Sequence, residues 1–250
     1  MKPYLLEACA DSVESAIEAA KGGAHRLELC ANLIIGGTTP GVSQFKQIRK
    51  ALDLPIHVLL RPRYGDFYYT EREFQMIRED AAMFIRLGAD GIVAGCLKPE
   101  GNLDRERMEI LRETANSRHF TLHRAFDMCQ CPYRALEDAV SIGADTILTS
   151  GQQNSCLEGT ALLKELIRLA GSRINILVGS GVNAQAIPFL AKETGARHFH
   201  MSGKTMADSG MVFRKENVSM GIGSIGEYAI VRTDKTQIQE AVNALNLLPL

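Results

Sequence analysis

Two segments of the chain end alike, Glu7-Ala8-Cys9 and Glu28-Leu29-Cys30. In an extended strand, residues two apart share a face, so each segment would present a carboxylate and a thiol to the same side. Two chemistries are open to such a set. Cu(I) prefers thiolate and thioether ligands and tolerates a low coordination number, so Cys9 and Cys30 could hold one ion between them. Met128-Cys129-Gln130-Cys131 offers a second soft cluster. Alternatively, Glu7, Glu28, Arg61, His123 and Asp127 are candidates for acid–base chemistry on a small molecule. Arg63 and Arg124 could then grip an anion through charge-assisted forks, with Arg61 adding a third. Gly179-Ser180-Gly181 and Ser202-Gly203 would offer bare backbone N–H groups to a phosphate. No Cys-x-x-Cys pair or Cys/His run has zinc spacing, so a structural zinc site is not expected. Plainer roles stand beside these. An inward Glu can simply pair with an Arg from another strand, glycines can serve tight turns alone, and a free Cys is by default a small hydrophobe. Cys96 and Cys156 take that default, and His198 reads as a core histidine. His123 and His200, nearer the strand ends, are balanced between core and site.

What must position these residues is an eightfold alternation. Short apolar runs begin at Tyr4, His25, Ile56, Asp90, His119, Asp145, Ile174 and Arg197. Each is about five residues long and closed by a small or polar residue. Amphipathic helical patterns lie between them: Val13-Ala16-Ile17-Ala20, begun by an Asp11/Glu14 capping box, and Phe74-Ile77-Ala81-Phe84, begun by Thr70/Glu73. Asn183 reads as an N-cap, and Asp234 with Gln237 opens the last helix. Gly-Ala precedes the second, fourth, sixth and eighth strands (GGAHRLEL, LGADGIVA, IGADTILT, TGARHFHM). Gly there suits a helix C′ position, and Ala lets helix and sheet approach closely. Eight such units predict a single (β/α)8 barrel domain over residues 1–250, in preference to an open doubly wound sheet. In a barrel the chemistry sits at the C-terminal strand ends. Alternation then turns Glu7, Cys9, Glu28, Cys30, Thr121, His123, His198, His200 and Ser202 inward, and Leu27, Leu29, Phe120 and Leu122 toward the helices. Residues 203–226 read as a long irregular loop over the mouth. That loop contains Gly221-Ile222-Gly223-Ser224-Ile225-Gly226, a literal G-x-G-x-x-G. It follows no strand, so no nucleotide cofactor is expected.

Composition narrows the partners. The 250 residues carry 28 Lys+Arg and 29 Asp+Glu, a formal charge of −1. That balance gives no electrostatic case for nucleic acid or a membrane surface. No apolar run reaches membrane-span length, and Glu7 and Asp11 arrive too early for a secretory leader. A cytoplasmic protein with free thiols is expected.

The segments LLEACADSVESA, GGAHRLELC, GGTTP, RPRYGDFYYTE, LHRAFDMC, ILTSG, HFHMSG and VFRKENVSMG together resemble the copper homeostasis protein CutC family along nearly the whole chain. The resemblance implies a cytoplasmic (β/α)8 barrel, often a homo-oligomer, that binds copper. The two Cu(I) ligands proposed for the family fall on Cys9 and Cys30. Tyr64 stands where the family usually has the first of two glycines, and Gly41 where Ser is common; the tyrosine could narrow the mouth. Cys131 is not part of the shared pattern. The expectation is thus a copper(I)-binding protein. The alternative is an enzyme acting on a small phosphorylated or anionic molecule, and a scaffold using the barrel only as a body comes third.

Overall fold

A computed structural model describes residues 4–221 and 225–249. Eight parallel strands close into a barrel: β1 (Leu5–Ala10), β2 (Arg26–Leu29), β3 (Ile56–Leu59), β4 (Gly91–Ala94), β5 (His119–Leu122), β6 (Thr146–Thr149), β7 (Asn175–Val178) and β8 (His198–Met201). β8 pairs back onto β1, with Glu7 beside His200. Seven crossover helices follow the first seven strands: α1 (Val13–Lys21), α2 (Val42–Ala51), α3 (Glu71–Arg86), α4 (Arg105–Ala115), α5 (Pro132–Ile142), α6 (Thr160–Ala170) and α7 (Ala186–Thr194). The eighth, α8 (Lys235–Asn246), comes after an inserted hairpin.

Local chemistry explains the boundaries. Each Gly of the four Gly-Ala units adopts a left-handed conformation, with φ of +90° at Gly23, +93° at Gly88, +82° at Gly143 and +77° at Gly195. The alanines that follow, Ala24, Ala89, Ala144 and Ala196, are all buried where each chain turns into the sheet. Thr70 and Glu73 form the full capping box of α3. α1 is capped one residue later than the sequence suggests. The Ser12 hydroxyl accepts the Ser15 N–H, while Asp11 accepts the Leu33 N–H and ties the β2–α2 loop to β1. The Asn183 carboxamide accepts from both Gln185 and Ala186 at the start of α7.

Outward strand residues Leu27, Leu29, Ile92, Phe120 and Ile147 pack on the helices as the main core. The barrel interior carries a smaller apolar cluster of Cys9, Cys30, Leu59 and Val93 near the mouth. Beneath it the interior is polar. Arg26 points inward at the level of Glu7, and His57 stacks on His119 with ring centroids 4.6 Å apart. The glycine at position 91 on β4 makes room for this stack. A Cβ there would lie only 2.8 Å from His57 Cδ2 and from the His119 carbonyl oxygen.

The segment after β8 corrects one expectation. It is not irregular from its start: β9 (Lys204–Asp208) pairs antiparallel with β10 (Ala229–Thr233). Every residue of β9 is exposed, so no apolar alternation marked it as a strand. Ile222, Gly223 and Ser224, the middle of the glycine-rich motif, lie outside the described residues.

Candidate functional site

The C-terminal strand ends surround a cavity of about 780 Å³. Of the residues singled out from sequence, Cys9, Glu28, Arg61, His123, Arg124, Asp127, Met128, Ser180, Gly181, His200, Ser202 and Gly203 line it. Cys30 lies just behind the wall, fully buried, with its sulfur 3.6 Å from Cys9 Sγ. Gly37, at φ +83°, lets the following loop close over this pair, since a side chain there would press on Cys30 and Leu59. Glu7 lies one inward position below Cys9 and does not reach the cavity. Gly179 and Arg63 also stand outside the lining. Arg63 is spent on Glu73 at 2.6 Å and on Asp66, itself a lining residue, at 3.0 Å.

The cavity floor is a chain of charges. Arg26 Nε donates to Glu7 Oε2, and His200 Nδ1 lies 2.7 Å from Glu7 Oε1 and 3.4 Å from Glu28 Oε2. Burial alone would raise the Glu7 carboxyl, but Arg26, with His200 and His57, outweighs it and holds Glu7 well below the usual carboxylate range. Burial pushes Glu28 up to about 7, His200 opposing and Glu7 assisting. His200 is raised well above an ordinary histidine because Glu28, Cys9 and Glu7 together overcome its desolvation. The Cys9 thiol is also raised, first by its contact with Cys30 and then by burial.

The walls are of two kinds. Asp127 is saturated: it accepts from Arg124 Nε at 2.7 Å, from the Ser150 N–H and hydroxyl, from Gln152 N–H and from Thr149. It therefore organises the β6–α6 loop. Arg61 donates Nη1 to the Gly36 and Gly37 carbonyls and Nη2 to the Gly65 carbonyl, which fixes two loops over the mouth. By contrast, three buried polar atoms on the lining have no hydrogen-bond partner among the described residues: Glu28 Oε2, Arg61 Nε and His123 Nε2. Glu28 and His123 are each 4% exposed and Arg61 8%, so water does not readily compensate them. His123 Nδ1 accepts the Ala125 N–H, which puts the proton of the neutral ring on Nε2. Burial, reinforced by Arg61, lowers His123 to about 3 and keeps that ring neutral. Gly95 clears its space: a Cβ there would lie 2.7 Å from the imidazole.

Sequence reasoning passed over Arg26, and left His200 undecided. The alternation that turned Glu28 and Cys30 inward applies equally to Arg26, so that signal was present. Leu33, Ile35, Phe67, Lys204 and Gln237 also line the cavity. They lie beyond the ends of the eight barrel strands, where the parity of those strands has no reach.

The model of the CutC family matches residues 4–205. The chain belongs to the CutC family. A family protein CutC of Bacteroides fragilis is 43% identical, with 98% of each chain covered. The human copper homeostasis protein cutC homolog is 40% identical over 97% of this chain and 89% of that one. The crystal structure of the putative copper homeostasis protein CutC from Streptococcus agalactiae superposes with a TM-score of 0.76 at 30% identity, covering 80% of this chain and 98% of the other. N-(5'-phosphoribosyl)anthranilate isomerase from Pyrococcus furiosus, at 13% identity and TM-score 0.57 over 98% of this chain and 100% of that one, shares the barrel fold.

Proposed function

We propose that this CutC-family protein binds Cu(I) through Cys9 and Cys30. The observation that carries the reading is the sulfur pair itself: two thiols from neighbouring strands, 3.6 Å apart, beside a mouth cavity. Soft thiolates select Cu(I) over harder cations. The raised Cys9 proton affinity means that the ion displaces a proton on binding. All six cysteines are free, which fits a reducing compartment such as the cytoplasm. The names of the relatives point the same way. The reading predicts that Cys9→Ser and Cys30→Ser each weaken Cu(I) binding at least tenfold, about 1.4 kcal/mol. Competition against a chromophoric Cu(I) chelator measures this, and two variants with the parent's affinity would reject the pair.

A second reading, an enzyme on a small phosphorylated or anionic molecule, is favoured by the unpartnered Glu28, Arg61 and His123 atoms. Two thiolates do not require them, whereas a polar ligand in the cavity would satisfy them. The Gly179–Gly181 and Ser202–Gly203 segments are the anion cradle of this reading. Titration with inorganic phosphate should therefore shift the backbone amide signals of Gly181 and Gly203. Signals unmoved at millimolar phosphate count against an anion there.

A further inference from the structure

We propose that Cys9, Glu28 and His200 form a site for a borderline divalent cation, Zn²⁺ being the probe of choice, with one coordination position open to the mouth cavity. The inference deepens the copper reading in that it shares Cys9 with it, but it uses neither Cys30 nor a soft monovalent ion.

The argument is first one of placement. One donor atom from each of the three side chains lies within 4.8 Å of the other two. They come from three places in the sequence, on β1, β2 and β8, which is why no ligand spacing announced them. Donors on one tetrahedral Zn²⁺, at about 2.0–2.3 Å from the metal, lie roughly 3.5 Å apart, so side-chain adjustments close the gap. All three residues line the cavity. Three protein ligands with a free fourth position facing a cavity are the arrangement of a zinc site that exchanges water or substrate, rather than of a closed structural one.

The second argument is partnership. Glu28 Oε2 is buried and has no hydrogen bond among the described residues; it faces His200 Nδ1 at 3.4 Å through charge alone, which leaves its lone pairs to an ion. His200 Nδ1 is bound to Glu7 Oε1 at 2.7 Å, and Glu7 is fixed in turn by Arg26. A carboxylate on one ring nitrogen, leaving the other for an ion, is the usual outer support of a metal-bound histidine.

Charge separates the classes of cation. Arg26 already neutralises Glu7. A Cys9 thiolate and the Glu28 carboxylate then match the two charges of a divalent ion, which on binding displaces the proton of His200 and leaves the ring neutral. Nitrogen, oxygen and sulfur together also suit a borderline ion better than a soft one. An ion here would act as a Lewis acid on an oxygen of whatever occupies the cavity, which the His123 Nε2–H also lines.

The test is Zn²⁺ competition against a chromophoric chelator on the metal-free full-length protein, with Co²⁺ as a spectroscopic substitute. The parent protein should bind one Zn²⁺ per chain, and Co²⁺ should give a thiolate charge-transfer band. Glu28→Gln should weaken Zn²⁺ at least tenfold, and Cys9→Ser should abolish the Co²⁺ band. Cys30→Ser should keep Zn²⁺ within threefold while losing Cu(I). Absence of Zn²⁺ binding by the parent, a Co²⁺ band that survives Cys9→Ser, or a Glu28→Gln variant as tight as the parent overturns the proposal. The parent's Co²⁺ spectrum decides even where a variant does not fold. If Zn²⁺ binding behaves as stated while the cysteine variants keep Cu(I), the copper reading fails alone. Loss of Cu(I) without any Glu28 effect on Zn²⁺ sinks only this inference.

Discussion

Arg26→Met should destabilise the barrel by about 3–5 kcal/mol, the cost of stranding a buried charge whose partner has been removed. The side chains of Arg26 and Glu7 are 10% and 1% exposed, so solvent does not take over the role of the guanidinium. What remains beside Glu7 is His200 at 2.7 Å and, more distantly, His57 at 3.9 Å. Burial, the largest single influence on Glu7, then goes unopposed by its strongest counter-charge, and the carboxyl should rise toward a protonated state. Methionine keeps much of the arginine's length without its charge, so the loss is electrostatic rather than a cavity. Chemical denaturation of parent and variant at neutral pH measures the difference. The double variant Glu7→Met with Arg26→Met should recover more than half of it, because a buried pair replaced whole costs far less than one broken. A single variant within about 1 kcal/mol of the parent would show that the pair is not isolated from water.

The same pair marks how far the sequence could be read. The barrel was legible because its determinants are local. Gly-Ala at four strand entries, capping residues at helix starts and period-two alternation each depend on a few neighbouring residues. The convergence of Cys9, Glu28, Cys30 and His123 followed from parity once the barrel was assumed. What parity cannot supply is which inward residues meet across the barrel. His200 stands beside Glu7 because β8 closes onto β1, across 193 positions of sequence. Nor does it say how a charged group is spent. Arg61 and Asp127 read as reactive candidates, yet Arg61 spends its guanidinium on loop carbonyls, and Asp127 is taken up by the Arg124, Thr149 and Ser150 side chains and by two loop N–H groups. Arg63, two residues beyond Arg61, turns to Glu73 on α3 instead of the cavity. The hairpin was missed for a related reason: β9 is exposed along its whole length, and its pairing with β10 leaves little hydrophobic pattern.

His123→Asn should make the fold less sensitive to acid. In the folded protein burial, with Arg61 nearby, lowers His123 to about 3, against 6.5 for the unperturbed ring. Between those values the unfolded chain binds a proton that the folded one refuses. Stability therefore falls as pH drops below about 6.5, by roughly 1.4 kcal/mol per unit for one such group. Asparagine can accept the Ala125 N–H through its carboxamide oxygen, as Nδ1 does here, but it cannot be protonated. Relative to this variant, the parent should lose about 2 kcal/mol between pH 7.5 and pH 5. His57 and His198, lowered by burial and then by Arg26 to about 3 and about 4, pull the same way. Glu28, raised to about 7, and His200, raised well above its ordinary value, pull the other way, since there the folded state holds the extra proton. These contributions are common to both proteins and cancel in the comparison. Denaturation midpoints at the two pH values measure the difference. A gap between parent and variant that does not change with pH would mean that His123 takes up a proton at Nδ1 while folded, and its acceptance of the Ala125 N–H would be lost with it.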